Sequence, residues 1–230
     1  MTRKLDIQSL RDNEGLVAQL LSLLASSYVD PQPLLARELD RNTSVYLALD
    51  PRGQISAFFF VAWHHPAHLL PLTPVYMGLS ACREQDKGAG ATIRLYRQFI
   101  LDAIAWETAS RKRLLLWATT AHPLIFLVIH RLFCNVSPSL TGTFSADAQQ
   151  LAATIRDQVY GRSERSENPF VIKHLCPDTR YSEGESRRCE SSRLKLNPDV
   201  FTTFDIQEAR GDRLLVLGEL ATKSRKSRET

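Results

Sequence analysis

A chain of 230 residues that is 43% hydrophobic and 23% charged has the composition of a globular protein, and it can bury about 70% of its unfolded surface without disulfide or metal staples. Most of its net charge of +4 sits in the last residues (Lys223, Arg225, Lys226 and Arg228 against Glu229), a solvated tail and not the aromatic-studded basic stripe of a nucleic-acid binder. No run reaches the ~20 apolar residues of a bilayer crossing and MTRKLDIQSL lacks a secretory pattern, so a cytoplasmic protein without a membrane span is expected.

In chain order, Lys4 to Leu10 alternates apolar and polar residues and predicts a short strand. Asp12 or Asn13 then caps a helix running to about Tyr28, which Asp30-Pro31 stops, and a second short helix fits Pro33 to Leu39. Ser44 to Leu49 and Gln54 to Trp63 are apolar runs joined by Asp50-Pro51-Arg52-Gly53, the signature of an antiparallel hairpin. A connector rich in Pro and His (His64, His65, Pro66, His68, Pro71, Pro74) leads to a strand over Val75 to Cys82. After the turn Arg83 to Gly90 comes a long amphipathic helix to about Ser110, with Ile93, Tyr96, Phe99, Ile100, Ala103, Ile104 and Trp106 on its apolar face. Leu114 to Ala118 is a short strand, and Pro123 opens a helix through Phe133. Ala146 to Tyr160 reads as helix, and Phe170 to His174 and Leu214 to Leu220 as strands. The stretch from Pro177 to Asn197 is polar and predicts a surface insertion near 175–200 in a single domain over 1–222, with a flexible basic tail from 223. The sum is an α/β chain: a central mixed sheet with helices on both faces.

Cysteines 82, 134, 176 and 189 are too irregularly spaced for a disulfide framework, and His174-x-Cys176 with Cys189 lacks paired ligand spacing, so no metal is expected. The sharpest chemistry lies between strand and helix at Gln85-Asp86-Lys87-Gly88-Ala89-Gly90. A helix start offers free N–H groups and the positive end of its dipole, the two glycines let an anion approach, and Lys87 and Arg83 add charge. Taken alone, the same residues make an ordinary tight turn. No third glycine stands in register for a dinucleotide fingerprint, since position 93 is Ile, and no Walker pattern is present.

The pattern Gln-x-x-Gly-x-Gly, following a strand and opening a long amphipathic helix, resembles the acyl-CoA pyrophosphate motif of the GCN5-related N-acetyltransferase (GNAT) superfamily, a likeness that runs from residue 4 to about 135. The resemblance implies a GNAT-like fold and an acetyl-CoA or other acyl-CoA donor. It implies that strand residues Leu79, Ala81 and Cys82 line the pantetheine arm. The segment Gln85, Asp86, Lys87, Gly88, Ala89, Gly90 and Ala91 would hold the pyrophosphate. It further implies direct attack by an amine, with the protein positioning reactants and moving a proton.

Two departures bear on the chemistry. The strand Pro74 to Cys82 carries no carboxylate where relatives place a general base, and the helix Pro123 to Phe133 lacks their Tyr, whose place falls near Val128. The substitutes near the expected cleft are His122, Thr120 and Tyr76, with His64 and His65 at the hairpin's end. The reading is therefore an N-acyltransferase acting on a small-molecule or peptide amine. Alternatives are a longer acyl chain, taken from acyl-CoA or from an acyl carrier protein, and a non-catalytic binding or sensor module of the same fold. Self-association is left open.

Overall fold

The structure is a computed structural model that describes residues 1–66, 72–161 and 166–221; His68, Pro71 and the basic tail from 223 lie outside the described residues. The chain opens with β1 (Thr2–Asp6) and turns at once into α1 (Ile7–Arg11). The alternation from Lys4 to Leu10 thus breaks in the middle. The Asp6 carboxylate accepts from the Ser9 N–H at 2.8 Å, and this N-cap starts a helix where hydropathy alone continues a strand. Asn13 caps α2 (Glu14–Ala25) in the same way, through the Leu16 N–H, and α3 spans Pro31–Arg41.

The hairpin β2 (Ser44–Leu49) and β3 (Ile55–Trp63) is closed by Asp50, whose carboxylate accepts from the N–H groups of Arg52 and Gln54. Next come β4 (Thr73–Cys82), a 3-10 turn at Glu84–Asp86, α4 (Ala91–Ser110), β5 (Leu114–Thr120), α5 (Pro123–Leu132) and β6 (Cys134–Ser137). A long excursion follows, holding α6 (Ala146–Val159), the two-residue β7 (Val171–Ile172), α7 (Glu183–Arg193) and α8 (Val200–Thr203). The chain then returns as β8 (Arg213–Glu219).

One sheet joins these strands in the order β1-β2-β3-β4-β5-β8-β6, with β7 on β8. The pair β4–β5 is parallel and the other pairings are antiparallel. Alternate residues of β2 and β3 feed two cores. Val45, Leu47, Phe58 and Phe60 pack under α1, α2 and α3, while Tyr46, Phe59 and Val61 pack under α4 with Tyr96 and Phe99. Helices therefore cover both faces, as the mixed sheet requires. The buried stripe of α4 is Ala91, Leu95, Tyr96, Phe99 and Ala103. Ile104, assigned above to the apolar face, is 42% exposed, because the true stripe follows Leu95 and lies to one side of the arc drawn through Ile93, Ile100 and Ile104. Among the described residues no helix is long and apolar enough to cross a membrane.

Candidate functional site

The two parallel strands stay paired only from Thr73 opposite Leu114 to Tyr76 opposite Trp117, then part. The cause lies on the far edge of β4. There Met77 stands opposite Val61 and Ser80 opposite Phe59, so Gly78 and Leu79 together face the single Phe60. Two residues against one make a bulge, which bends the strand away from its neighbour. β5 is held straight by β8 as far as Thr120 opposite Leu214. The gap between the diverging strands forms a groove that runs from Tyr76 and Trp117 toward the 83–90 turn along β4 and toward Ala121-His122 along β5.

The closed end of this groove is polar and buried. The Glu38 carboxylate of α3 accepts from the bulge N–H of Leu79 at 3.1 Å and from Asn42 Nδ2 at 2.9 Å. Glycine at 78 leaves room for this approach. A Cβ there would lie 2.8 Å from Asn42 Oδ1 and 2.9 Å from Glu38 Oε2, closer than such atoms pack. The Tyr76 and Trp117 rings pack with a tilt, their centroids 4.5 Å apart. His65 lies over Trp117 at 5.8 Å, and Tyr160 meets the indole edge-on. The Arg41 guanidinium covers both tyrosine rings at 5.4 Å, a favourable cation–π arrangement. Burial pushes the Tyr76 phenol well above its ordinary range and that of Tyr160 up to about 12. Burial, helped by the charge of Arg41, holds His65 below the usual histidine range. The closed end thus presents neutral phenols and a neutral imidazole beside one carboxylate and one guanidinium.

At the open end, Gly88 and Gly90 take left-handed φ values of 85° and 76°, and a Cβ on either would meet nothing within 4 Å. The N–H groups of Lys87 and Ala89 turn back onto Glu84 and Asp86. Those of Gly88, Gly90 and Ala91 have no backbone acceptor among the described residues, and Gly90 brings no side-chain cap to α4. Open space, free amides and a long helix dipole suit an anion such as a pyrophosphate. Arg83 already has carboxylate partners. Its guanidinium is paired with Asp50 at 2.9 Å and Asp86 at 2.7 Å, which fastens the turn to the hairpin. Gln85 is exposed. Lys87 does face the groove, where its ammonium reaches Glu185 at 2.6 Å, Glu84 at 2.9 Å and Ser27 Oγ at 3.2 Å.

The three residues expected to carry catalysis are not gathered at one point. Tyr76 stands at the closed end. Thr120 accepts from the His122 N–H at 2.9 Å, and its own hydroxyl lies 3.3 Å from the His122 carbonyl oxygen. His122 is the N-cap of α5, its Nδ1 accepting from the Leu124 N–H at 3.2 Å, while Nε2 lies 3.3 Å from Glu185. Burial alone would raise the Glu185 carboxyl, but hydrogen bonds from His122 and Lys87, with the charge of Lys87, outweigh it and hold the group at about 2.

Glu38, Arg41, Tyr160 and Glu185 escaped the sequence reading. The first two are ordinary polar residues of an amphipathic helix, and nothing local marks them. α7 had a legible signal: Ser182-x-x-Glu185 has the sequence of a capping box, and the Ser182 hydroxyl does accept from the Glu185 N–H, while the Glu185 carboxylate turns to Lys87 and His122. Among the described residues no group of three His, Cys, Asp or Glu side chains is arranged to hold a metal ion.

No protein-family model matches the chain, and no curated protein does. Several of the solved structures similar to it are described as acetyltransferases. An IAA acetyltransferase from Bacillus cereus is 12% identical over 96% of this chain and 99% of its own, with a TM-score of 0.45. The NatC complex bound to Gag peptide and CoA is 15% identical, covering 57% of this chain and 81% of its own, with a TM-score of 0.39. A GNAT-family acetyltransferase from Streptococcus pneumoniae is 16% identical over 44% of this chain and 64% of its own, with a TM-score of 0.31.

Proposed function

We propose that this chain is a GCN5-related acyltransferase that lays an acyl-CoA across the parting of β4 and β5 and passes the acyl group to an amine. The observation that carries the reading is the bulge at Gly78-Leu79. It frees the edge of β4 beyond Tyr76 and leads that edge directly to the open amides at the start of α4. The residues present fit the coenzyme at that end: the N–H groups of Gly88, Gly90 and Ala91, with Lys87, would hold the pyrophosphate, and Leu79, Ala81 and Cys82 would line the pantetheine arm. When bound, the coenzyme supplies an activated thioester.

The chain's own part is to orient the amine and take its proton. His122 has its Nδ1 lone pair committed to the Leu124 N–H, and Thr120 is committed to the His122 backbone. We therefore place proton removal at the closed end, where the Glu38 carboxylate and the neutral His65 imidazole lie near Tyr76. The acceptor is a small-molecule or peptide amine. An acyl carrier protein would offer Lys87 the same kind of phosphate, so a carrier-borne or longer acyl chain fits the same groove.

A second reading, a binding module without turnover, is favoured by one contact. The bulge amide of Leu79 already donates to a carboxylate, a poor neighbour for the negative charge that develops on an acyl oxygen. Calorimetry with coenzyme A, followed by thiol release from acetyl-CoA over a panel of amines, decides between them. Binding with turnover supports the enzyme, and binding without turnover supports the module. No binding, with the protein folded, overturns both.

A further inference from the structure

α7 buries little of itself, only Cys189 and Ser192, yet together with residues 180–182 that lead into it, it bridges the end of α2, the glycine turn and the start of α5. At the end of α2, the Ser182 N–H donates to the Ser27 carbonyl at 2.8 Å and its hydroxyl to the Ser26 carbonyl at 3.1 Å. The Val29 N–H donates to the Arg180 carbonyl at 3.0 Å, and Tyr28 faces Tyr181. At the glycine turn, Glu185 meets Lys87 at 2.6 Å and Arg188 pairs with Glu84. At the start of α5, Glu185 reaches His122 at 3.3 Å, and the Cys189 thiol donates to the Ala121 carbonyl at 3.6 Å.

These anchors are almost all polar. A buried apolar face gives up its stabilisation when it separates, whereas polar groups can trade one partner for water or for another anion. The central one is also well shielded: the side chains of Lys87 and Glu185 are 16% and 14% exposed, so their pairing is little screened by solvent. The Lys87 ammonium is shared by the carboxylates of Glu185 and Glu84 and the Ser27 hydroxyl, and it belongs to the same turn as the open amides of Gly88, Gly90 and Ala91; of its two carboxylates Glu185 is the nearer.

From this placement we infer that α7 is a strap that competes with the phosphate-bearing donor for the groove, the Glu185 carboxylate holding Lys87 in the closed state and a donor phosphate replacing it in the open one. The inference rests on the acyl-donor reading above and adds its regulation. The donor binds only the open form, so its measured affinity is reduced by the fraction of molecules that are closed. Weakening the latch raises affinity without touching a donor contact.

The experiment compares the whole chain with Glu185→Gln and Glu185→Ala, using coenzyme A as the probe and hydrogen exchange of residues 180–193 as a second readout. The strap predicts faster exchange there in both variants without coenzyme. It predicts affinity increased about 5- to 150-fold, the usual span of such couplings, and faster exchange of the wild-type strap when coenzyme is added. Equal affinity in wild type and both variants, with wild-type binding intact, overturns the strap and leaves the donor reading standing. Exchange that quickens in the variants while no protein binds coenzyme A overturns the donor reading, and the competition with it.

Discussion

Phe58, Phe59 and Phe60 of β3 are each fully buried and alternate between the two faces of the sheet, whereas α7 meets the body through ion pairs and hydrogen bonds and buries one thiol and one hydroxyl. The first region is held by area removed from water, which is recovered only by unfolding. The second is held by contacts that water or a ligand can replace. The groove lies between them, so one of its walls is rigid and its cover is exchangeable.

The comparison breaks most readily at the core. Phe59→Ala should cost about 3–5 kcal/mol in urea unfolding, since the ring contacts Tyr46, Tyr96 and Phe99. A loss below about 1 kcal/mol would place the rigid wall elsewhere. Gly78→Ala comes next, at about 1–3 kcal/mol for forcing a methyl into a packed site, because the new Cβ would meet Glu38 and Asn42. A neutral result would mean that Glu38 does not rest on the bulge.

Gly90→Val should cost at least about 1–2 kcal/mol, the penalty of a left-handed φ where the added Cβ itself meets no neighbour, and should abolish coenzyme A binding in calorimetry. Unchanged affinity in the folded variant removes the pyrophosphate from residues 87–91. The pH dependence sharpens the other side of the comparison. Glu185 titrates at about 2 in the folded chain against an ordinary 4.5, so its folded value is depressed. Its contribution is present above pH 4.5 and is lost as pH falls from there towards 2. Amide NMR shifts of residues 183–193 should follow that window in the wild type and not in Glu185→Gln. At the small end stands Glu183→Ala. Its partner Arg187 and Glu183 itself are 72% and 82% exposed, and such pairs contribute almost nothing. A measurable loss of stability there would show that α7 is held along its outer side as well.

The amino-acid sequence by itself determined the elements whose signals are local. The Asp50-Pro51-Arg52-Gly53 turn set the hairpin, the apolar period set most of α4, Pro123 opened α5, and the glycines at 88 and 90 marked the tight turn before α4. In each, the residues that matter are neighbours along the chain, so propensity, capping and period suffice. Tertiary structure decided the rest. The bulge at Gly78-Leu79 exists only as a register between β3 and β4, and no run of residues encodes a register. Arg83 and Lys87 are equivalent in sequence and were divided by their partners, Asp50 for one and Glu185 for the other. Glu38, Arg41 and Tyr160 reach one point from α3 and the end of α6, more than a hundred positions apart. The segment 177–197 reads as a polar surface from its composition, yet Thr179, Cys189, Ser192 and Leu196 within it are buried. That this surface folds back as α7 over the groove follows from matching charges on distant elements, which only the folded chain brings within reach of each other.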